Sequence, residues 1–323
     1  VSQGARVTVI IPTYNGAALL AGCLAALAEQ TFADFTTLVV DDGSTDGTLA
    51  LLAERFPSIR VLPLGRNLGL AAAVNRAIDA SAGEYVALLN NDAEPAPGWL
   101  AALVATAERH PEAAAIASRL RLYDRRDHLH SAGDYYTVTG LPGNRGVWQP
   151  DGPAYDREEE VWAACAGAAL YRRAALDAVR QDGRVFDEAL FMYCEDVDLG
   201  WRLRLRGYRC VYAPEAIVYH RLSATGGGPL ASYWCGRNFI RVLLANVPGP
   251  ILRRYWRRMA AAQLALAGDA LRHLREPAAR ARLRGQLRAL ADLPAVLRRR
   301  RRVQAAATAD PAALAALLVE PPR

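Results

Sequence analysis

Between residues 7 and about 120, short β-branched runs alternate with longer runs of helical period. "RVTVIIP" leads into "AALLAGCLAALAEQ", "FTTLVVD" into "TLALLAERF", "IRVLPL" into "LAAAVNRAIDAS" and "EYVALLN" into "PGWLAALVATAERH", and "AAIAS" opens a fifth strand. Parallel neighbours in a sheet need crossover connections, so this order predicts a mostly parallel sheet covered on both faces by helices. Polar residues collect where the strands end: "PTYNG" at Pro12, Thr13, Tyr14 and Asn15, "DDGSTDG" from Asp41, "GRN" with Arg66 and Asn67, and "NND" at Asn90, Asn91 and Asp92. In open α/β sheets ligands bind outside the carboxyl ends of the strands. The four clusters are therefore expected to face one crevice.

At 323 residues and 52% hydrophobic, the chain can bury a sizeable core, as one large domain or two smaller ones. Five cysteines with no C-x-x-C pair argue against a disulfide framework or a zinc site and favour a reducing compartment. The first apolar run, "VTVII", is short and ends at Pro12, so no signal peptide is expected, and no uninterrupted apolar stretch reaches the ~18 residues of a membrane span. The net charge of +6 is unevenly spread. Between Arg253 and Arg302 fifteen arginines face three acids, an excess of twelve, which leaves the rest of the chain at −6.

Residues 121–160 have little helical period and many glycines, prolines and aromatics, and read as loops and short hairpins over the crevice. A second α/β passage follows: "RRAALDAVR" and "EDVDLGWRLRLRG" as helices, and "YRCVYAPEAIVYH" as a strand pair ending at His220. Beyond it the chain is helical and Arg-rich.

Each polar cluster has an ordinary use beside a chemical one. Asn and Asp are common turn residues, and Ser44 or Asp46 can cap the helix after "DDGSTDG". A cap needs one such residue, however, and Asp41 and Asp42 are surplus carboxylates able to accept hydrogen bonds from a base or a ribose. Arg66, Asn67 and Gly69 open a helix, where Arg66 suits a diphosphate. Neither G-x-G-x-x-G nor the P-loop pattern is present, which counts against a dinucleotide dehydrogenase or a P-loop NTPase. Glu195, Asp196 and Asp198 occupy the opening turns of one helix. There Asp198 is spaced to pair with Arg202, and Glu195 or Asp196 is placed for either helix-dipole stabilisation or general-base work. His220 is either a structural histidine or, with Asp92, a ligand of a divalent ion.

Taken in order, "VIIPTYNG", "VVDDGSTDGT", "NLGLAAAVNRAI", "EYVALLNND", "CAGAALYRRAAL", "EDVDLGWRLRLRGY" and "VYHRLSAT" resemble a family 2 glycosyltransferase of the GT-A fold, in the style of bacterial rhamnosyltransferase-like members. The resemblance covers about residues 6–245. It implies a Rossmann-like, mostly parallel sheet flanked by helices, with a helical Arg-rich extension. Residues 1–245 would form the GT-A domain, 1–120 as its nucleotide-binding half and 121–245 as its acceptor-binding half, and 246–323 the extension. It also implies inverting transfer from a nucleotide-diphosphate sugar, dTDP- or UDP-linked, with Mn2+ or Mg2+. Pro12 to Asn15, Asp41 or Asp42, Arg66, Asn67, Gly69, Asn90 and Asn91 would bind the donor. Asp92 stands in the family's D-x-D position as the metal carboxylate with His220 beside it, Asn90 replaces the first acid, and Asp196 takes the place of the base with Glu195 next to it. Trp162, Gly167 and Ala168 would line the acceptor side.

Two further readings bear on partners. A scaffold that binds nucleotide or carbohydrate without turnover would keep the fold; the joint occurrence of acid pair, D-x-D-like site and terminal histidine favours the enzyme. The basic C-terminal segment lacks the aromatic interleaving of a nucleic-acid platform, so no nucleic acid is expected. It reads instead as helices on an anionic membrane surface, or as a solvated helical face. A cytoplasmic enzyme on the inner face of the plasma membrane, acting on a glycan or lipid-linked acceptor, is the resulting expectation; the oligomeric state is left open.

Overall fold

The computed structural model describes residues 4–221 and 228–322, so residues 222–225, the end of the motif that begins at Val218, lie outside the described residues. The chain divides into two compact units. The first comprises Val1–Asp134, Asn144–Phe191 and Arg209–Thr225. The second comprises Tyr135–Gly143, Met192–Tyr208 and Gly226–Arg323.

The first unit begins with the expected alternation: β1 (Val7–Thr13), α1 (Ala17–Ala28), β2 (Phe35–Asp41), α2 (Thr48–Arg55), β3 (Arg60–Pro63), α3 (Leu70–Asp79) and β4 (Tyr85–Leu89). A short β5 (Ala93–Pro95), α4 (Trp99–Arg109), β6 (Ala113–Leu122) and β7 (Leu129–Ala132) follow. β8 (Asp134–Tyr136) and β9 (Pro142–Asn144), which lie mostly in the second unit, make a separate ribbon. Then come β10 (Glu159–Val161), β11 (Ala168–Arg172), α5 (Arg173–Ala178) and, after α6 (Glu195–Leu205) of the second unit, β12 (Arg209–His220). The ten-stranded sheet runs β10-β12-β6-β11-β4-β1-β2-β3, with β5 on β12 and β7 on β6.

β1 is parallel to β2 and β4, β2 to β3, and β6 to β12. β11 lies antiparallel between β4 and β6 and so keeps those two in one direction. Six strands thus end on the same edge of the sheet. β4 is buried at every position, which is why "YVALL" shows no alternation. The side chains of Val7, Val9, Ile11, Val39, Ala87 and Leu89 share a core with Leu20, Leu24 and Leu27 of α1 and Trp99, Leu100 and Leu103 of α4. α3 packs on β1 and β2 with Ala71, Ala73, Val74 and Ile78 buried. "YRCVYAPEAIVYH" forms one strand rather than the expected pair. Its pairing with β6 shifts register between Ala213 and Ile217, around Pro214, whose missing N–H interrupts the ladder without reversing the chain.

In the second unit α7 (Gly228–Asn246), α8 (Gly249–Arg272), α9 (Pro277–Ala291), α10 (Leu293–Ala305) and α11 (Pro311–Ala316) pack with α6. α7 and α9 touch backbone to backbone, because a Cβ on Gly236 would stand 2.6 Å from Arg282 O and one on Gly285 2.1 Å from Tyr233 O. Val319 N donates to Tyr136 O and Val138 N to Val319 O, which ties the C-terminal stretch to the 135–143 segment. No helix among the described residues is long and apolar enough to cross a membrane.

Candidate active site

The shared carboxyl edge of the sheet brings the polar clusters of the first unit together. Asn15 bridges two of them: its N–H donates to Ser44 Oγ at 2.9 Å and its Oδ1 accepts from Thr45 N at 2.7 Å. Asn91 donates to Thr13 Oγ1 at 2.9 Å, so "PTYNG" and "NND" are also stitched. Tyr14 stays 44% exposed on this edge. Arg66 and Asn67 are exposed in the loop before α3.

Asp41 and Asp42 separate in role. Asp42 accepts from Leu68 N at 2.7 Å and Gly69 N at 2.9 Å, so both its oxygens brace the loop entering α3. Burial raises its pKa against the pull of those two bonds. Asp41 Oδ2 accepts from Ser44 N, whereas its Oδ1 is buried without a hydrogen-bond partner. A buried bare carboxylate oxygen is costly, and it is suited to an incoming donor such as a base N–H. Two glycines make the close packing possible. Gly43 has φ +82 and would set a Cβ 2.5 Å from Arg66 Cα, and Gly69 has φ +89 and would set one 2.4 Å from the Phe191 ring.

After β4 the chain turns through Asn90, Asn91 and Asp92 and re-enters the sheet as β5, antiparallel to the end of β12 with Ala93 opposite His220. That pairing carries Asp92 to His220: Nε2 of His220 lies 3.0 Å from Asp92 Oδ1, and Arg221 N donates to Asp92 O at 3.0 Å. Asn90 Nδ2 is 3.4 Å from the same Nε2. Asp92 and His220 are both buried. A carboxylate and an imidazole held together at a ligand-binding edge fit a divalent ion of the manganese type. Gly167 O accepts from Asn90 N at 2.8 Å, and Ala168 pairs with Leu89, so both sit beside this turn; Ala168 and Trp162 have buried side chains.

His130 escapes the sequence reading. It lies on β7, on the edge of β6 opposite β12, and its Nδ1 is 3.0 Å from Nδ1 of His220, the rings stacked at 4.8 Å. Burial, with His220 nearby, pushes its pKa down to about 3. The only sequence signal was a histidine inside the apolar run "LHSA".

The acid pair belongs to the second unit. Tyr193 and Cys194, just before α6, have φ +64 and +66, a backbone region costly for side-chain-bearing residues. Asn238 of α7 secures them by donating to Met192 O at 3.0 Å and Tyr193 O at 2.8 Å. Glu195 is buried, its Oε2 has no hydrogen-bond partner, and burial followed by the charge of Asp196 pushes its pKa up to about 8. Asp196 is half-buried, with Oδ1 accepting from Val197 N at 2.8 Å. Asp198 makes the expected pair with Arg202 at 2.8 Å and more: Arg299 of α10 donates to both its oxygens, and Asn246 donates at 2.8 Å. Burial alone would push Asp198 up, but the charges of Arg299 and Arg202 hold it well below the usual carboxylate range.

A mostly parallel α/β sheet with carboxylates, amides and a histidine on its carboxyl edge, in a chain that also carries a helical unit bearing an acid pair, is the GT-A architecture, and the chain is a glycosyltransferase. Residues 8–180 match the family described as glycosyl transferase family 2, and the chain belongs to that family. It is 33% identical over 263 residues, 74% of this chain and 83% of the relative, to the N-acetylglucosaminyl-diphospho-decaprenol L-rhamnosyltransferase of Mycobacterium tuberculosis. Among solved structures, GalNAc-T7 with UDP, GalNAc and Mn2+ superposes with a TM-score of 0.60 at 16% identity, over 76% of this chain and 48% of that one. The mannosyltransferase PcManGT of Pyrobaculum calidifontis, in complex with GDP-Man and Mn2+, gives 0.55 at 21% identity over 98% and 79%.

Proposed function

We propose that this glycosyltransferase moves a sugar, rhamnose by analogy with its mycobacterial relative, from a dTDP- or UDP-linked donor to a hydroxyl of a lipid-linked or cell-surface glycan, inverting the anomeric centre. The observation that carries the donor site is the buried pair of Asp92 and His220 at the carboxyl edge of the sheet, two residues 128 positions apart in the chain. Asp41 Oδ1 accepts from the base, Asp42 holds the loop in place, and Arg66 meets the diphosphate. Asp92 and His220 would hold a divalent cation, Mn2+ or Mg2+, which would supply positive charge against the departing diphosphate. Burial disfavours the charged form of Glu195, so the base role falls to Asp196. It takes the proton of the acceptor hydroxyl as that oxygen attacks from the face opposite the nucleotide. One displacement inverts the centre.

Residues 1–245 act as the transferase domain and 246–323 as a basic helical region at the inner face of the plasma membrane. What supports the membrane contact is the exposed face of α8, where Arg253, Trp256, Arg257, Leu264 and Leu271 fall within about 100° of one another, with Leu287 and Leu290 exposed on α9.

A thermal-shift panel of UDP-, dTDP- and GDP-sugars with and without Mn2+ identifies the donor, since a ligand of the folded state raises its stability. Single-turnover transfer by Asp196→Asn is expected to fall roughly 10² to 10⁴-fold with donor binding intact. Normal turnover in that variant would remove Asp196 from the role.

A further inference from the structure

We propose that His130 is a positioning residue for the metal site, holding His220 in the tautomer whose Nε2 lone pair is open to a divalent cation. The inference rests on Asp92 and His220 being the cation-binding pair.

His220 has two ring nitrogens, and both are engaged: Nε2 at 3.0 Å from Asp92 and Nδ1 at 3.0 Å from His130 Nδ1. A neutral imidazole carries one N–H, so of two facing Nδ1 atoms one donates and the other accepts. If Nε2 of His220 gives its lone pair to a cation, the proton of that ring sits on Nδ1, and its acceptor is His130 Nδ1. His130 then carries its own proton on Nε2. With Asp92 alone as partner, the order reverses: Nε2–H of His220 donates to Asp92, and His130 Nδ1–H donates to His220. Each ring keeps one proton in both arrangements. Between two neutral rings, cation binding therefore selects the first arrangement over the second.

The sheet builds this contact. β6 pairs with β12 on one edge, Leu122 opposite His220, and with β7 on the other, Leu120 opposite Ser131. The two rings meet across β6, tilted only 23° from parallel. Both are buried, at 6% and 5% exposure, so bulk solvent has little access to replace His130 as the acceptor. The His130 ring against one face of His220 limits its rotation and so holds the direction of Nε2.

The test is Mn2+ titrated calorimetrically into the full chain, with UDP present, for wild type, Asp92→Ala, His130→Phe and His130→Asn. His130→Phe keeps a flat ring in the stack but cannot accept a proton, and Mn2+ affinity is expected to fall roughly 10- to 100-fold. His130→Asn, whose Oδ1 can accept, is expected to recover most of that loss. Wild-type affinity in His130→Phe, with binding abolished in Asp92→Ala, overturns the role of His130 while leaving the metal site standing. Mn2+ binding that survives Asp92→Ala removes the pair from the metal and the inference with it. A second measurement needs no variant: ring ¹⁵N spectra of the wild-type chain loaded with diamagnetic Zn2+ are expected to show His130 protonated on Nε2. A proton on His130 Nδ1 in that state overturns the inference.

Discussion

Replacing Glu195 by Gln should make the protein more stable at alkaline pH, and the gain should grow with pH. The Glu195 carboxyl is buried beside Asp196, and its pKa rises from the ordinary 4.5 to about 8. Between those values the folded chain holds a proton that the unfolded chain has released, so stability declines as pH rises. The contribution is fully present below about 4.5 and fully lost once the folded-state group ionises above about 8. A rise of about 3.5 at 1.36 kcal/mol for each pKa unit gives a total of about 5 kcal/mol. Gln fills the same space and does not titrate. Urea denaturation of both proteins at pH 5 and pH 9 is the assay, since groups that do not interact with Glu195 cancel in the difference. The gap is expected to shift in favour of Gln by several kcal/mol from pH 5 to pH 9. Asp196→Asn, by removing the neighbouring charge, should lower the pH at which wild-type Glu195 ionises. A gap that is the same at both pH values would refute the neutral Glu195 and with it the division of labour in the acid pair.

Arg299→Met should cost about 3 to 5 kcal/mol in denaturant melts, because it strips a buried Asp198 of the guanidinium that meets both its oxygens; the added loss from Asp198→Asn in that background should be much smaller than in wild type. Gly43→Ala combines a φ of +82 with a Cβ 2.5 Å from Arg66 Cα, so it should lose more than about 1 kcal/mol and weaken nucleotide binding measured by calorimetry. Leu264, Leu271, Leu287 and Leu290 changed together to Ser, with Arg253 and Arg257 to Gln, should reduce sedimentation with anionic vesicles. Wild-type binding should fall with salt as screening tightens to ~8 Å at physiological ionic strength. Equal vesicle binding by both proteins would leave these faces without a lipid role.

The alternation of periods marks the parallel strands of the sheet and the edge at which they exit. Strand and helix periods differ, and in a parallel sheet every strand exit falls on the same side, so "PTYNG", "DDGS", "GRN" and "NND" could be assigned to one edge before any coordinates. The order of the motifs was equally legible, because it is a property of the chain. Which member of each cluster is free to act was decided by the tertiary structure. Asp41 and Asp42 are identical in sequence terms, yet only Asp42 has both oxygens consumed by the next loop. Asp92 meets His220 because a three-residue strand, too short to carry a period, pairs with the end of β12. His130 joins them through β6, a contact set by register between strands far apart in sequence. The basic C-terminal segment shows the same limit. Its composition suggests a solvated or membrane-facing run, but packing turns Arg299 inward to Asp198 and lets Arg300 cap Leu244 and Val247 carbonyls. Asp292 in turn gathers Arg237, Arg241 and Arg288. Charge can be counted along a chain, but whether a charge is paired depends on what folds against it, and that is a property of three dimensions.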